Sequence, residues 1–419
     1  MPNPAFPFRS FWMGGYEGAD HVNVDGLPLD MADCNAHLRR LDEDYANAAA
    51  HGLGCVRESI GWRLAERAPG QWDLARARRI AQCAESHGLQ VIWTLMHYGA
   101  PTGLSLHDDA MIDRFAAYAV AVARTLGPLS KDAPVYNLIN EIGFLAWTVS
   151  ETSEIHPYRR DLVGQAVEST ESSGYEVKRR LVRAVLAGID AVRRVDPRAR
   201  FLHVEPIGHV APPADRPDLA EAAERIAAYQ WQAWDLIGGR VEPELGGSAE
   251  ALDLIGINHY HSGQWEVGTE ERLWWHLGDS RRRPLSTMLG DAWRRYGRPL
   301  VIAETGHIGD GRADWLREVV GEVTRARAAG IPVGGICLYP LLDRHDWHDT
   351  THWHRSGLWD IEQPSLHRVL ATDYADALYA AQRVLPRTAP GAASVGAIDP
   401  LDAHALDGWT GRQPLRQAA

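Results

Sequence analysis

Two short stretches carry residues fit for chemistry. Val135-Tyr-Asn-Leu-Ile-Asn140-Glu141 and Pro299-Leu-Val-Ile-Ala-Glu304-Thr-Gly306 are apolar runs that each break off in a glutamate. Read as strands, they place both glutamates where the chain leaves a sheet. Two carboxylates facing each other from strand ends are the equipment for breaking a glycosidic bond. One protonates the leaving oxygen, and the other attacks the anomeric carbon or activates water. A retaining pair stands about 5–5.5 Å apart and an inverting pair further, leaving room for water. Either reaction needs the two carboxyls to differ in acidity, since one holds its proton while the other stays ionised. Arg57 lies inside the apolar run Gly54–Ser59. A buried arginine is costly unless paired, so it implies a carboxylate partner, and beside one of these glutamates it would favour the ionised form. A structural ion pair with a non-catalytic acid is the alternative. Asn140 is placed to reach a sugar hydroxyl, and Tyr260, ending another run, to donate to a carboxylate.

The elements that must position these residues are read from periodicity. Candidate strands are Phe11–Tyr16, Gly54–Ser59, Gln90–Met96, Val135–Ile139, Arg200–Val204, Leu252–His259, Leu300–Ala303 and Val333–Leu338. They are rich in Val, Ile, Leu and aromatic residues and mostly do not alternate, as suits parallel strands covered on both faces. Helical patterns lie between them, at Ala36–His51, Leu74–His87, Asp109–Leu126, Glu176–Val195, Ala222–Ile237 and Ala313–Ala329. Several stop at Gly or Asp-Pro. Repetition of strand then helix predicts an α/β fold, a single (β/α)8 TIM barrel over residues 1–385. An open doubly wound sheet is the rival, but Phe11–Gly18 lacks the glycine spacing of a phosphate turn. The connections Phe144–Tyr175 and His261–Ser286 are long and would rise as βα loops four and six on the C-terminal face, where barrels build their sites. Tryptophans on them, Trp265 among them, suit the apolar faces of sugar rings, or simply pack the loops down. Residues 386–419 are rich in Pro, Ala and Gly and lose periodicity, so they read as a flexible or surface-laid tail.

Composition narrows the function classes. The 419 residues carry 43 basic and 55 acidic side chains, a formal net charge of −12, which disfavours a nucleic-acid partner. Arg281-Arg282-Arg283, the one compact basic run, reads as a solvated loop, with an anionic substrate contact as the lesser alternative. Cysteines 34, 55, 83 and 337 form no CxxC and suit a reducing compartment. No run of about 18 apolar residues suggests a membrane span, and the N-terminus lacks the pattern of a secretory signal. A cytoplasmic location is the simplest expectation. Histidines 345, 348, 352 and 354, with His259 and His261, admit a metal-dependent barrel hydrolase. The first strand, however, ends in Gly14-Gly15-Tyr16-Glu17, not in His-x-His. A non-catalytic carbohydrate-binding barrel is a further alternative.

Seven motifs together resemble glycoside hydrolase family 1, the β-glucosidase and β-galactosidase family of retaining (β/α)8 enzymes. Val56-Arg-Glu-Ser-Ile-Gly-Trp62 resembles its strand-two motif, with Arg57 at the arginine near the nucleophile. Thr94-Leu-Met-His-Tyr98 resembles its Thr-Leu-x-His-Trp. Asn140-Glu141 matches the pair carrying the acid/base, Gly256-Ile-Asn-His-Tyr260 resembles Gly-x-Asn-Tyr-Tyr, and Ile302-Ala-Glu-Thr-Gly306 resembles Ile-Thr-Glu-Asn-Gly, whose glutamate is the nucleophile. Tyr339-Pro-Leu-Leu-Asp-Arg-His-Asp-Trp347 resembles Trp-Ser-Leu-Leu-Asp-Asn-x-Glu-Trp, and His354-Arg-Ser-Gly-Leu358 follows it as Arg-Phe-Gly-Leu follows in the family.

The resemblance implies a retaining β-glycosidase with Glu304 as nucleophile and Glu141 as acid/base, supported by Arg57, Asn140 and Tyr260. It implies substrate contacts at Glu17, His97, Tyr339, Asp346 and Trp347. The implied partner is a carbohydrate or glycoside, without nucleic acid, membrane, cofactor or metal; a homo-oligomer is compatible with it. Four departures stand out. Gly15 occupies the position of a sugar-holding glutamine, Tyr339 that of a stacking tryptophan, Asp346 that of a glutamate gripping outer hydroxyls, and Ile142 that of a proline.

Overall fold

The computed structural model describes residues 6–152, 155–156 and 171–385. Apolar runs without alternation need cover on both faces, and eight of them obtain it by closing into a parallel barrel. The strands are β1 (Trp12–Gly15), β2 (Cys55–Ser59), β3 (Gln90–Met96), β4 (Val135–Ile139), β5 (Arg200–Pro206), β6 (Leu254–Asn258), β7 (Leu300–Thr305) and β8 (Val333–Leu338). Each pairs with its sequence neighbours, and β1 closes the ring by pairing with both β2 and β8. Met13, Cys55, Ile92, Val135, Leu202, Val204, Leu254, Val301, Ala303 and Cys337 fill the barrel interior with Phe8. The larger core lies between the strands and the surrounding helices. The chain is therefore the single-domain (β/α)8 barrel that its periodicity predicts.

Helices α1 (Leu41–Ala50), α2 (Ala75–Ser86), α3 (Ala110–Leu126), α4 (Ile142–Glu151), α5 (Glu171–Val195), α6 (Ala220–Ala228), α7 (Gln232–Ile237), α8 (Leu285–Tyr296), α9 (Arg312–Ala328) and α10 (Thr372–Val384) cover it. Two connections depart from the sequence reading. Connection four does not begin as a loop: α4 starts directly after Glu141 and buries Ile142, Leu145, Ala146 and Val149. Its lower stretch, including Glu154 and Tyr158, lies outside the described residues, as does 386–419. Connection six contains a short strand, Gln264–Glu266, paired with His209–Ala211. Arg281 pairs there with Asp279 and Glu266, and Arg283 pairs with Asp291 of α8, so nearby acids neutralise two of the three arginines. Among the described residues no helix is long and apolar enough to cross a membrane.

Two local features aim the site. Val301 and Ala303 line the barrel interior while Ile302 faces the helices, so strict alternation would send Glu304 outward. But β7 carries an extra residue. Ile257 pairs with Ile302 and the next residue, Asn258, with Glu304; on the other edge Ile302 pairs with Ile336 and Thr305 with Leu338. This bulge re-aims Glu304 toward the axis.

The outer face of β2 carries the second feature. Glu58 points away from the axis and accepts from Tyr45 at 2.7 Å, while His37 bridges Glu58 at 2.9 Å and Asp44 at 2.8 Å. Arg368 reaches Asp44 through two bonds of 2.7 Å, tying α1 and a C-terminal hairpin to this strand. Burial opposes a charge on His37, but Glu58 and Asp44 outweigh it and raise its pKa to about 9. The imidazolium's contribution to stability is complete below the free value near 6.5 and is lost as pH rises through 9. Chemical denaturation across pH 6–10 is expected to show a contribution from this group on the order of 3 kcal/mol, read as the difference between the pH dependence of the wild type and that of His37→Gln.

Candidate active site

The polar groups converge at the strands' C-terminal ends around Arg57, which is 2% exposed. Its Nη1 forms a short ion pair with Glu304 Oε1, and Nη2 donates to Asn140 Oδ1 at 2.6 Å. Nε donates to Thr94 Oγ1 at 3.1 Å, and Nη1 also reaches the Ala303 carbonyl at 3.5 Å. Tyr260 donates its hydroxyl to the other Glu304 oxygen at 2.7 Å. Glu304 thus faces a fixed cation and a phenol.

Glu141 meets a different set. Tyr98 donates to Oε2 at 2.9 Å and the Asn258 amide to Oε1 at 2.6 Å. Both partners are neutral. Burial pushes the Glu141 carboxyl up to about 8, and the charge of Glu304 adds to the shift, so it keeps its proton at neutral pH. Burial and the two carboxylates raise Tyr98 and Tyr260 well above the usual phenol range, which keeps both hydroxyls as donors. Asn140 joins the halves: its Oδ1 faces Arg57, while its Nδ2 donates to Tyr98 at 3.1 Å and lies 3.2 Å from His97 Nε2. Burial and Arg57 keep His97 neutral, so Nε2 accepts and Nδ1 carries the hydrogen toward Ser59 Oγ at 3.1 Å.

The backbone spends energy here. Glu141 (φ 45°) and Tyr98 (φ 78°) both sit at positive φ without being glycine, a cost of roughly 1–2 kcal/mol each.

The structure brings Glu141, Glu304, Arg57, Asn140, Tyr260 and His97 into one network. Tyr339 caps it, with the Arg57 guanidinium 5.5 Å from its ring centre, and the Trp347 ring lies 5.8 Å from that of Tyr98. Glu17 stands beside the network, accepting from the Tyr339 hydroxyl at 3.4 Å, and both it and Asp346 hold further partners. Glu17 accepts the amides of Gly18 and Ala19 at 3.0 and 3.1 Å and pairs with Arg344 at 3.0 Å. Asp346 accepts the amide of His348 at 2.8 Å and pairs with His354 at 3.1 Å, closing its own turn. Trp265 packs in a separate cluster with Val210, Ala223 and Val267, below Arg272. The position of Gly15 holds no spare pocket: a Cβ there would lie 2.3 Å from the Tyr339 ring. Tyr98 and Asn258 lie within motifs of the sequence that assign them no role. The available signal was a polar side chain at the exit of a fully buried strand.

Solved structures share this architecture. A family 1 β-glucosidase from Thermotoga maritima is 16% identical, with 90% of this chain and 98% of that one covered at a TM-score of 0.69. A β-glycosidase is 21% identical, covering 93% and 99% at 0.66. The AHE enzyme from Alicyclobacillus herbarius is 17% identical, covering 91% and 100% at 0.69. No protein-family model matches the chain, and no curated protein matches it in sequence. The likeness establishes the class of fold, a (β/α)8 barrel resembling those of family 1 glycosidases.

Removing a buried pair's partner leaves an uncompensated charge. Arg57→Met is expected to destabilise the protein by about 3–5 kcal/mol in urea titration at pH 7, far more than an exposed arginine variant such as Arg67→Met.

Proposed function

We propose that the protein is a retaining glycoside hydrolase acting on β-glycosides, with Glu304 as nucleophile and Glu141 as acid/base. The observation that carries this reading is the unlike surroundings of two buried glutamates on one hydrogen-bond network. Glu304 is paired with Arg57, while Glu141 is held protonated among neutral donors. The Asn-Glu and Ile-Ala-Glu-Thr-Gly motifs and the likeness to a β-glucosidase solved with glucoimidazole support it.

In the first step Glu304 attacks the anomeric carbon while Glu141 gives its proton to the departing oxygen. A glycosyl ester forms on Glu304 and the aglycone leaves as an alcohol. In the second step the Glu141 carboxylate takes a proton from water, and the resulting oxygen displaces Glu304 with overall retention. Arg57 and Tyr260 receive the charge returned to Glu304. Asn140 and His97 orient the ring hydroxyls, and Trp347 offers it an apolar wall.

Glucosidase specificity is not carried over from the neighbours. The Tyr339 ring takes the space beside Gly15, and Asp346 is turned into its own loop, so the sugar's outer hydroxyls meet a different wall. The enzyme is assigned to a reducing compartment on its four free cysteines, the cytoplasm being the simplest.

A panel of nitrophenyl β-glycosides tests the reading. Glu141→Gln is expected to lower kcat by about 10²–10⁴-fold and Glu304→Gln to abolish turnover, with azide restoring activity only to a Glu141 variant. Full activity in either glutamine variant would sink the assignment. Because Glu141 must carry its proton, kcat/KM should hold through neutrality and fall above about pH 8 as that proton is lost.

A further inference from the structure

Glu141 leaves β4 in a left-handed conformation, and its side chain alone cannot enforce that. Its own amide donates to the Val204 carbonyl at 3.0 Å, and its carbonyl accepts from Leu145 at 2.9 Å, so it forms the cap of α4. The next residue after Val204 is Glu205, at the exit of β5 and 3% exposed. Its Oε2 accepts the Gly143 amide at 2.9 Å, and the Ile142 amide also donates to this carboxyl. These are first-turn amides of the helix, which have no partner inside it. Gly143 permits the approach, since a Cβ there would lie 2.8 Å from the Glu205 oxygen. Ile142 supplies a donor that a proline at that position would lack.

We propose that Glu205 is a positioning residue for Glu141: its carboxyl ties down the first turn of α4, fixing the strained exit on which Glu141 stands, and its charge favours retention of the proton on Glu141. The role in catalysis rests on the assignment of Glu141 as acid/base; the structural coupling does not.

The groups facing each carboxyl are few. Glu141 is faced by Glu304 from β7, Tyr98 from the exit of β3, Asn258 from β6 and Glu205 from β5. Glu205 is faced by Lys178 from α5, by Glu141, and by the two amides. Burial is the main influence that raises Glu205, to about 7, and the amides and Lys178 pull against it. Once ionised, Glu205 places a negative charge that opposes a second one on Glu141.

The test uses the full chain labelled with 13C at the glutamate side-chain carboxyls. The Glu141 resonance is identified by its loss in Glu141→Gln and titrated in the wild type and in Glu205→Gln. Glutamine keeps the acceptor and removes the charge, so the Glu141 midpoint should move to lower pH. An unchanged or raised midpoint overturns the proposal. Glu205→Ala removes the anchor as well; with a hydrolysed glycoside, kcat should fall about tenfold or more while KM changes little, and an unchanged kcat also overturns it. A moved midpoint in a protein that hydrolyses no glycoside would refute the hydrolase reading and leave the positioning role standing.

Discussion

The site depends on one constraint: a guanidinium held 2% exposed at the mouth of a barrel must have its donors satisfied. Arg57 obliges three strands or strand exits to present four acceptors at one level. Thr94 comes from β3, Asn140 from the end of β4, and both Ala303 and Glu304 from β7. The direction of bonding then propagates. Arg57 consumes the Asn140 oxygen, which leaves the Asn140 nitrogen to donate toward Tyr98, and Tyr98 in turn donates to Glu141. A single cation thereby sets opposite conditions for two carboxyls of the same type. One is met by charge, and the other sits at the end of a chain of neutral donors.

The strand bearing Arg57 is polar on both faces. Inward lies Arg57, and outward lies Glu58 with His37, Tyr45 and Asp44. In most barrel strands the outer face is packing alone. Here it is a second buried ionic cluster that fixes β2 against α1 and a hairpin near the C-terminus. The cluster steadies the backbone from which Arg57 projects. The rigidity of the site is thus supplied partly from the helix layer, through one residue's shift in strand phase.

Much of this was legible in the sequence because buried parallel strands leave long apolar runs. The runs Gln90–Met96, Val135–Ile139 and Val333–Leu338 coincide with β3, β4 and β8. Arg57 announced its own partner by being a charge within such a run. Other parts were hidden for physical reasons. Helix α10 is rich in alanine, whose weak hydrophobic contrast gives little periodic signal, and α4 is capped by Glu141, which is not one of the Ser, Thr, Asp or Asn residues that mark a start and makes no side-chain cap bond. The bulge in β7 is a matter of pairing with neighbours, which no local pattern encodes. The commitments of Glu17 and Asp346 were equally invisible. Both residue types are right for holding hydroxyls, and nearby amides and cations also bond their oxygens.

The meeting of Gly15 with the Tyr339 ring has a bearing on how this barrel can change over generations. Any side chain at position 15 collides with the ring, while a smaller residue at 339 opens a void above Arg57. Neither single replacement is an improvement in itself, though the pair together would admit a longer residue at 15. The two positions form a lock with two tumblers, and lineages that differ at one are expected to differ at the other. Change in this part of the barrel wall would then come as a paired jump, not as the gradual trimming of one side.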